Sequence, residues 1–283
     1  MEQEDTKSGK PAKTHFYQSA IALEFFKSAG KTEKIAPGKP IFVENEGTAG
    51  IFSNGARMYM LLAGEVTLTV NKKVIGTVSE GEVFGEMASI SHLPRTATAT
   101  AKTACSVISL DDKQFQRAVE KSPEFALMMM TIIIGRLRET IAKVTGKLSE
   151  QDRWSRGAVF DRKLLADLQN ELAEKPPALH HLNKVIMKEG DKGVFMYVVM
   201  DGTVVVTIQE KPVEKIGPGG VFGEMALVDQ SARVATATAE TDCMLLAINR
   251  NDFMNLVRTR PAFATSLMKA LAERLRFMTS KYQ

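Results

Sequence analysis

Two glutamates and two arginines stand in matching settings in this 283-residue chain. Glu86 follows Gly85 in VFGEMASISHLPRTATATA, residues 83–101, and Glu224 follows Gly223 in VFGEMALVDQSARVATATA, residues 221–239. Nine residues after each glutamate comes an arginine, Arg95 or Arg233. A guanidinium fork suits bidentate contact with a phosphate. The glycine lets the chain turn sharply and lets a ligand approach the backbone, and free N–H groups at a helical start favour an anion. A carboxylate repels phosphate, so the role left to the glutamate is to accept hydrogen bonds from neutral hydroxyls. Together the groups ask for a phosphate beside a hydroxyl, as in a ribose phosphate. Ala97, Ala99 and Ala101 put small side chains on one strand face and leave room for it. A competing reading has the glutamate and the arginine neutralising each other in a barrel that binds nothing, although burying such a pair brings little stability.

The elements that must hold these groups also come twice. An offset of 138 positions carries Phe84 onto Phe222, Tyr59 onto Tyr197, Gly64 onto Gly202, Cys105 onto Cys243 and Pro123 onto Pro261. Two units of ordinary domain size follow. SAIALEFFKSA at 19–29 reads as a short amphipathic helix; IFVE, RMYMLLA, EVTLTV, KVIGTV, RTATATA and SVISL read as strands broken by Gly, Asn and Pro. Short strands in this number suggest a compact β-barrel or jelly roll. A helical stretch follows from Asp111, with Asp111 or Asp112 as one cap, Ser122 as the next and Pro123 in a first helical position. The second unit repeats the order: a helix in GAVFDRKLLADLQNELAE, a Pro176-Pro177 break, strands from about Val185 to Ile248, and helices from Asp252 onward.

FGEMA, the step to the arginine, R-x-A-T-A-x-A and the upstream YMLLAGEV or YVVMDGTV closely resemble the phosphate-binding cassette of the cyclic-nucleotide-binding domain, found in catabolite activators, kinase regulatory subunits and gated channels. The likeness covers roughly residues 20–148 and 158–283. It implies a mainly β fold with flanking α: two β-barrel or jelly-roll domains, each with N-terminal and C-terminal helices. It also implies a ligand, cAMP or cGMP, with Glu86 and Glu224 on the ribose 2′-hydroxyl and Arg95 and Arg233 on the cyclic phosphate. Phe84, Gly85, Met87, Ala88, Thr96 and Ala97 would complete the first site, and Phe222, Gly223, Met225, Ala226, Val234 and Ala235 the second. The first copy departs from the pattern with Ser89 where the second has Leu227. Trp154 and Tyr282 follow their respective barrels at comparable distance and are candidate base caps, or else packing aromatics in helical connectors.

The implied boundaries are a disordered N-terminal segment at 1–18, domain A at 19–148, a helical connector at 149–175 and domain B at 176–283. Net charge is +4 with both signs mixed along the chain, which argues against nucleic acid as a partner. The most apolar run, FALMMMTIII, is about half the length that spans a bilayer, and the N-terminus lacks a signal-like apolar core. A cytoplasmic protein is expected, with buried thiols at Cys105 and Cys243 rather than a disulfide. His15, His92, His180 and His181 show no metal-ligand spacing, so no metal, no cofactor and no enzyme activity is expected. Leu127, Met130, Ile134, Leu137, Ile141, Val144 and Leu148 alternate three and four residues apart, a seam that predicts a homodimer or a helix lying on its own barrel. Three functions remain open: a tandem cyclic-nucleotide receptor acting through helix movement on an unidentified effector protein, a ligand-free dimeric scaffold, and a DNA-binding regulator.

Overall fold

The computed structural model describes residues 19–47, 56–147, 154–155 and 157–281. The expected disordered segment 1–18, Leu148 of the seam and Tyr282 lie outside the described residues.

Unit A opens with helix α1 (Ser19–Ala29) and strands β1 (Lys31–Ile35), β2 (Pro40–Phe42), β3 (Arg57–Ala63), β4 (Val66–Val70), β5 (Lys73–Val78) and β6 (Val83–Phe84). It continues through α2 (Glu86–Ser91), β7 (Thr98–Ala101), β8 (Cys105–Asp111), α3 (Asp112–Lys121) and the long α4 (Pro123–Val144). The strands form two antiparallel four-stranded sheets in the orders β1-β8-β3-β6 and β2-β7-β4-β5. Their inner faces share one core: Phe42, Val66, Ala99 and Ala101 from one sheet meet Tyr59, Leu61, Phe84 and Val107 from the other. Alternation in TATA of β7 puts Ala99 and Ala101 inside and the threonines half out. Asp111 caps α3 in a capping box with Gln114, and Ser122 accepts from the Phe125 N–H ahead of Pro123 in the first turn of α4.

Unit B repeats the plan. Its elements are β9 (Trp154–Ser155), α5 (Arg162–Glu171), β10 (Ala178–His180), β11 (Val185–Met187), β12 (Phe195–Asp201), β13 (Val204–Ile208), β14 (Lys211–Ile216), β15 (Val221–Phe222), α6 (Glu224–Asp229), β16 (Thr236–Ala239), β17 (Cys243–Asn249), α7 (Arg250–Thr259) and α8 (Pro261–Ser280). The sheets run β10-β17-β12-β15 and β11-β16-β13-β14-β9. The expected mainly β architecture with flanking helices is present, with each barrel realised as two facing jelly-roll-like sheets rather than one closed cylinder.

Some short strands escape sequence reading. KTEKI of β1 is polar and mostly exposed, and holds its place through backbone pairing of Lys31 to Ile35 against Ser109 to Cys105. Cys105 and Cys243 are buried free thiols, each donating to the carbonyl of its own unit's Glu65 or Thr203. Among the described residues, no helix is long and apolar enough to cross a membrane.

The seam is covered from within the chain. Met130, Ile134, Leu137 and Val144 are almost fully buried, and Leu127 and Ile141 nearly so. What covers them is α8: the two long helices pack side by side and merge the cores of both units into one cluster that includes Ile134, Leu137, Leu267, Leu271 and Leu275. A second copy therefore does not meet this face. Hydrophobic burial needs only an apolar partner, and the chain's own second long helix supplies it.

Candidate functional site

In each unit a two-residue strand delivers the chain to a glycine in the left-handed region, Gly85 at φ 72° and Gly223 at φ 81°. A Cβ at Gly85 would sit 2.9 Å from the Phe42 ring, and one at Gly223 would sit 2.7 Å from the Arg233 guanidinium. Glycine is thus required by both conformation and space. The short helices α2 and α6 begin immediately after, and no side chain caps their first N–H groups. Glu86 and Glu224, the first residues of those helices, are each 1% exposed.

Arg95 donates to the carbonyls of Gly85 at 2.7 Å and Arg57 at 2.8 Å, with its guanidinium 4.3 Å from the centre of the Phe42 ring. Arg233 makes the equivalent bonds to the carbonyls of Gly223 and Phe195. Both side chains are buried. Among the described residues neither forms an ion pair with a carboxylate. Burial lowers the pKa of Arg95 from the ordinary arginine value, and Tyr59, Glu46, Glu86 and Asp112 offset this only in part. Arg233 is lowered for the same reason, against Tyr197, Glu224 and Asp191. A buried cation fixed by neutral carbonyls and short of counter-charge is a place for an anion.

The glutamates pair elsewhere, which removes the internal Glu–Arg neutralisation as a reading of these residues. Glu86 faces Arg136 of α4 as an ion pair through its Oε1. Glu224 accepts from Arg274 of α8. Arg136 and Arg274 also donate to the equivalent carbonyls of Val83 and Val221. In unit B a second carboxylate joins: Glu214 accepts from Arg274 Nε at 2.8 Å. Burial pulls the Arg274 pKa down, yet Glu214 and Glu224 outweigh it and the net shift is upward, so this guanidinium stays charged.

All eight predicted residues of each unit line one cavity. Phe84 to Ala88 and Arg95 to Ala97 surround a space of about 220 Å³. Phe222 to Ala226 and Arg233 to Ala235 surround one of about 70 Å³. The long helices close both cavities, and they do so reciprocally. Leu275 and Thr279 of α8 help line the cavity of unit A, and Leu137 and Ile141 of α4 help line that of unit B. Arg138 of α4 donates to the Ala232 carbonyl of unit B at 3.0 Å, and Arg276 of α8 donates to the equivalent Pro94 carbonyl of unit A. Arg138 additionally pairs with Asp229, which is 2% exposed at its side chain. The position equivalent to Asp229 in unit A is Ser91.

Trp154 sits at the cavity of unit B, not that of the barrel it follows in sequence. Its strand β9 runs parallel to β14, Trp154 opposite Glu214, and its ring stacks on Phe277 of α8 at 5.3 Å. Sequence reading gave no site role to Arg274, Glu214, Arg136 or Arg138. The 138-residue offset contained the signal, since it carries Arg136 onto Arg274 and Arg138 onto Arg276.

The family signature described as the cyclic nucleotide-binding domain matches residues 33–122 and again 181–260, more than half of the chain. The chain belongs to the cyclic nucleotide-binding domain family. Both matched stretches contain a cassette, and α4 and α8 lie beyond them. Among relatives with this domain, the cAMP-dependent protein kinase regulatory subunit of Debaryomyces hansenii is 29% identical over 234 residues, 81% of this chain and 47% of that protein. The cGMP-dependent protein kinase of Eimeria tenella is 27% identical over 200 residues, 70% of this chain and 18% of that one. The chain thus spans less than half the length of either relative. The solved regulatory domain of Toxoplasma gondii PKA with cAMP shares 22% identity, with 84% of this chain and 86% of that one covered and a TM-score of 0.32.

Proposed function

We propose that the chain is a cyclic-mononucleotide receptor with two sites, one per unit, that bind cAMP or cGMP and pass the event on through the long helices. The observation that carries this reading is the buried guanidinium of Arg95 and of Arg233, held by two carbonyls and without a carboxylate partner among the described residues. In this reading the cyclic phosphate supplies the missing counter-charge. The buried carboxylates of Glu86 and Glu224 take the ribose 2′-hydroxyl, and Met87, Ala88, Ala97, Met225, Ala226 and Ala235 give the walls.

Domain A (19–148) and domain B (176–283) are proposed as the ligand-binding units, with the connector helix α5 serving domain B through buried Leu164 and Leu168. The partner is proposed to be a separate effector protein in the cytoplasm, and the names of the two kinase relatives make a protein kinase the first class to try. Self-association, where it occurs, uses a face other than the covered seam. Binding rather than catalysis is the proposed activity, with cAMP or cGMP as ligand and no cofactor.

The test is calorimetric titration with cAMP and with cGMP. Arg95→Ala and Arg233→Ala should each weaken their own site by about ten- to a hundred-fold, the worth of charge-assisted phosphate contacts. A double variant that binds as tightly as the unaltered chain would overturn the assignment.

A further inference from the structure

The two cavities are lined at equivalent positions, related by the 138-residue offset, yet the wall supplied by the long helices changes character. In unit A that wall presents Glu139, Thr140 and, from α8, Thr279. In unit B the same positions are Phe277, Met278 and, from α4, Ile141. Thr96 of the first cassette becomes Val234 of the second in the same sense. We propose that the two sites read the base differently: site A selects a base carrying an exocyclic amino group, and site B holds the base by apolar and aromatic surface without that selection. This rests on the receptor reading above.

The hydrogen-bond bookkeeping gives the wall of site A its sign. Thr140 donates its hydroxyl proton to the Arg136 carbonyl at 2.8 Å, and Thr279 donates its own to the Leu275 carbonyl at 2.7 Å. Each hydroxyl has thus committed its one donor to its own helix and retains lone pairs as acceptors. The Glu139 carboxylate is an acceptor as well. The donors that line the same cavity are placed otherwise: Arg136 pairs with Glu86 and donates to the Val83 carbonyl, and Lys143 is exposed to solvent. A wall rich in acceptors favours a ligand edge rich in N–H donors, such as the 6-amino group of adenine or the 2-amino group of guanine. A base without the amine would leave the lone pairs of Thr140 and Thr279 facing no donor.

Site B offers dispersion and stacking in their place. Trp154 and Phe277 lie nearly parallel, 11° apart, and Val206, Ile208, Val213 and Met278 complete an apolar lining. Every purine has a π-face, so such a surface grips without regard to the substituents on the ring edge.

The cyclic monophosphate of purine riboside is the probe, because it keeps the charge, the outline and the N1 acceptor of cAMP and replaces only the 6-amino group with hydrogen. In the full chain carrying Arg233→Ala, which leaves site A, this probe should bind about ten-fold or more weaker than cAMP. With Arg95→Ala, which leaves site B, the two should agree within about three-fold. Adding Thr140→Val and Thr279→Val should collapse the ratio at site A, and Thr140→Ser with Thr279→Ser, which keeps both hydroxyls, should preserve it. Equal ratios at the two sites, or a ratio at site A that the valine pair leaves untouched, would overturn the inference while the receptor reading stands. A wild-type chain that binds no cyclic nucleotide would sink the receptor reading itself, and this inference with it.

Discussion

Units A and B are the same machine at the phosphate end and different machines where the long helices cross. Both keep the left-handed glycine, the buried glutamate and the carbonyl-held arginine. Arg136, however, pairs with Glu86 with 34% of its side chain exposed, whereas Arg274 lies between Glu214 and Glu224 with 11% exposed. Gly76 occupies in unit A the position that Glu214 occupies in unit B. The latch from α4 onto unit B contains a buried ion pair, and the return latch from α8 onto unit A is a hydrogen bond to a carbonyl. The contrast teaches that the recurring cassette fixes the geometry both units share, and the helices beyond it fix how firmly each unit is tied to the other.

The largest expected effect separates the two helix arginines. Arg274→Ala leaves two buried carboxylates facing each other and should cost about 3–5 kcal/mol in denaturant unfolding. Arg136→Ala leaves the buried Glu86 without this cation and should cost at least about 1 kcal/mol less, since water already reaches the arginine side of that pair. Equal losses from the two substitutions would break the comparison.

The latch comes next. Arg138→Gln should cost about 1.5–3 kcal/mol, because Asp229 is left buried without its charged donor. Arg276→Gln, which removes a bond to a carbonyl only, should cost about 1 kcal/mol or less. A ligand moves a protein only through differential affinity for its states, so the stronger latch is the better relay. Filling site B should therefore change affinity at site A, and the change should vanish with Arg138→Gln. Affinities at site A that ignore the occupancy of site B in the unaltered chain would remove the latch from the relay.

The smallest effect is spectroscopic. Trp154, the sole tryptophan, stacks on Phe277 at the cavity of unit B. Its emission should respond to cyclic nucleotide, and Arg233→Ala should weaken that response more than Arg95→Ala does. The reverse order would mean that Trp154 serves unit A.

What was legible in the sequence follows the kind of interaction involved. The cassette was readable because identical residues recur at identical spacing, and the caps Asp111 and Ser122 because local hydrogen bonds depend on local sequence. The seam on α4 was readable as an apolar face, but not its partner. The matching stripe on α8 is disguised by substitutions: Ile134 becomes Ala272 and Ile141 becomes Thr279. An apolar stripe states that it must be covered, and any sufficiently apolar surface can do so. Arg136 and Arg274 look like ordinary helix-surface charges until tertiary packing brings a buried glutamate under each. Trp154 was misplaced because a two-residue strand pairs through backbone atoms, which carry no side-chain signal.

The central claim is that one chain carries two cyclic-nucleotide sites, each anchored by its own buried arginine. Counting bound cAMP per chain by calorimetry at saturating ligand tests it most directly. The account predicts two per unaltered chain, one for Arg95→Ala, one for Arg233→Ala and none for the double variant over the same concentration range. A chain that takes up no nucleotide, or a double variant that still binds two, would contradict it.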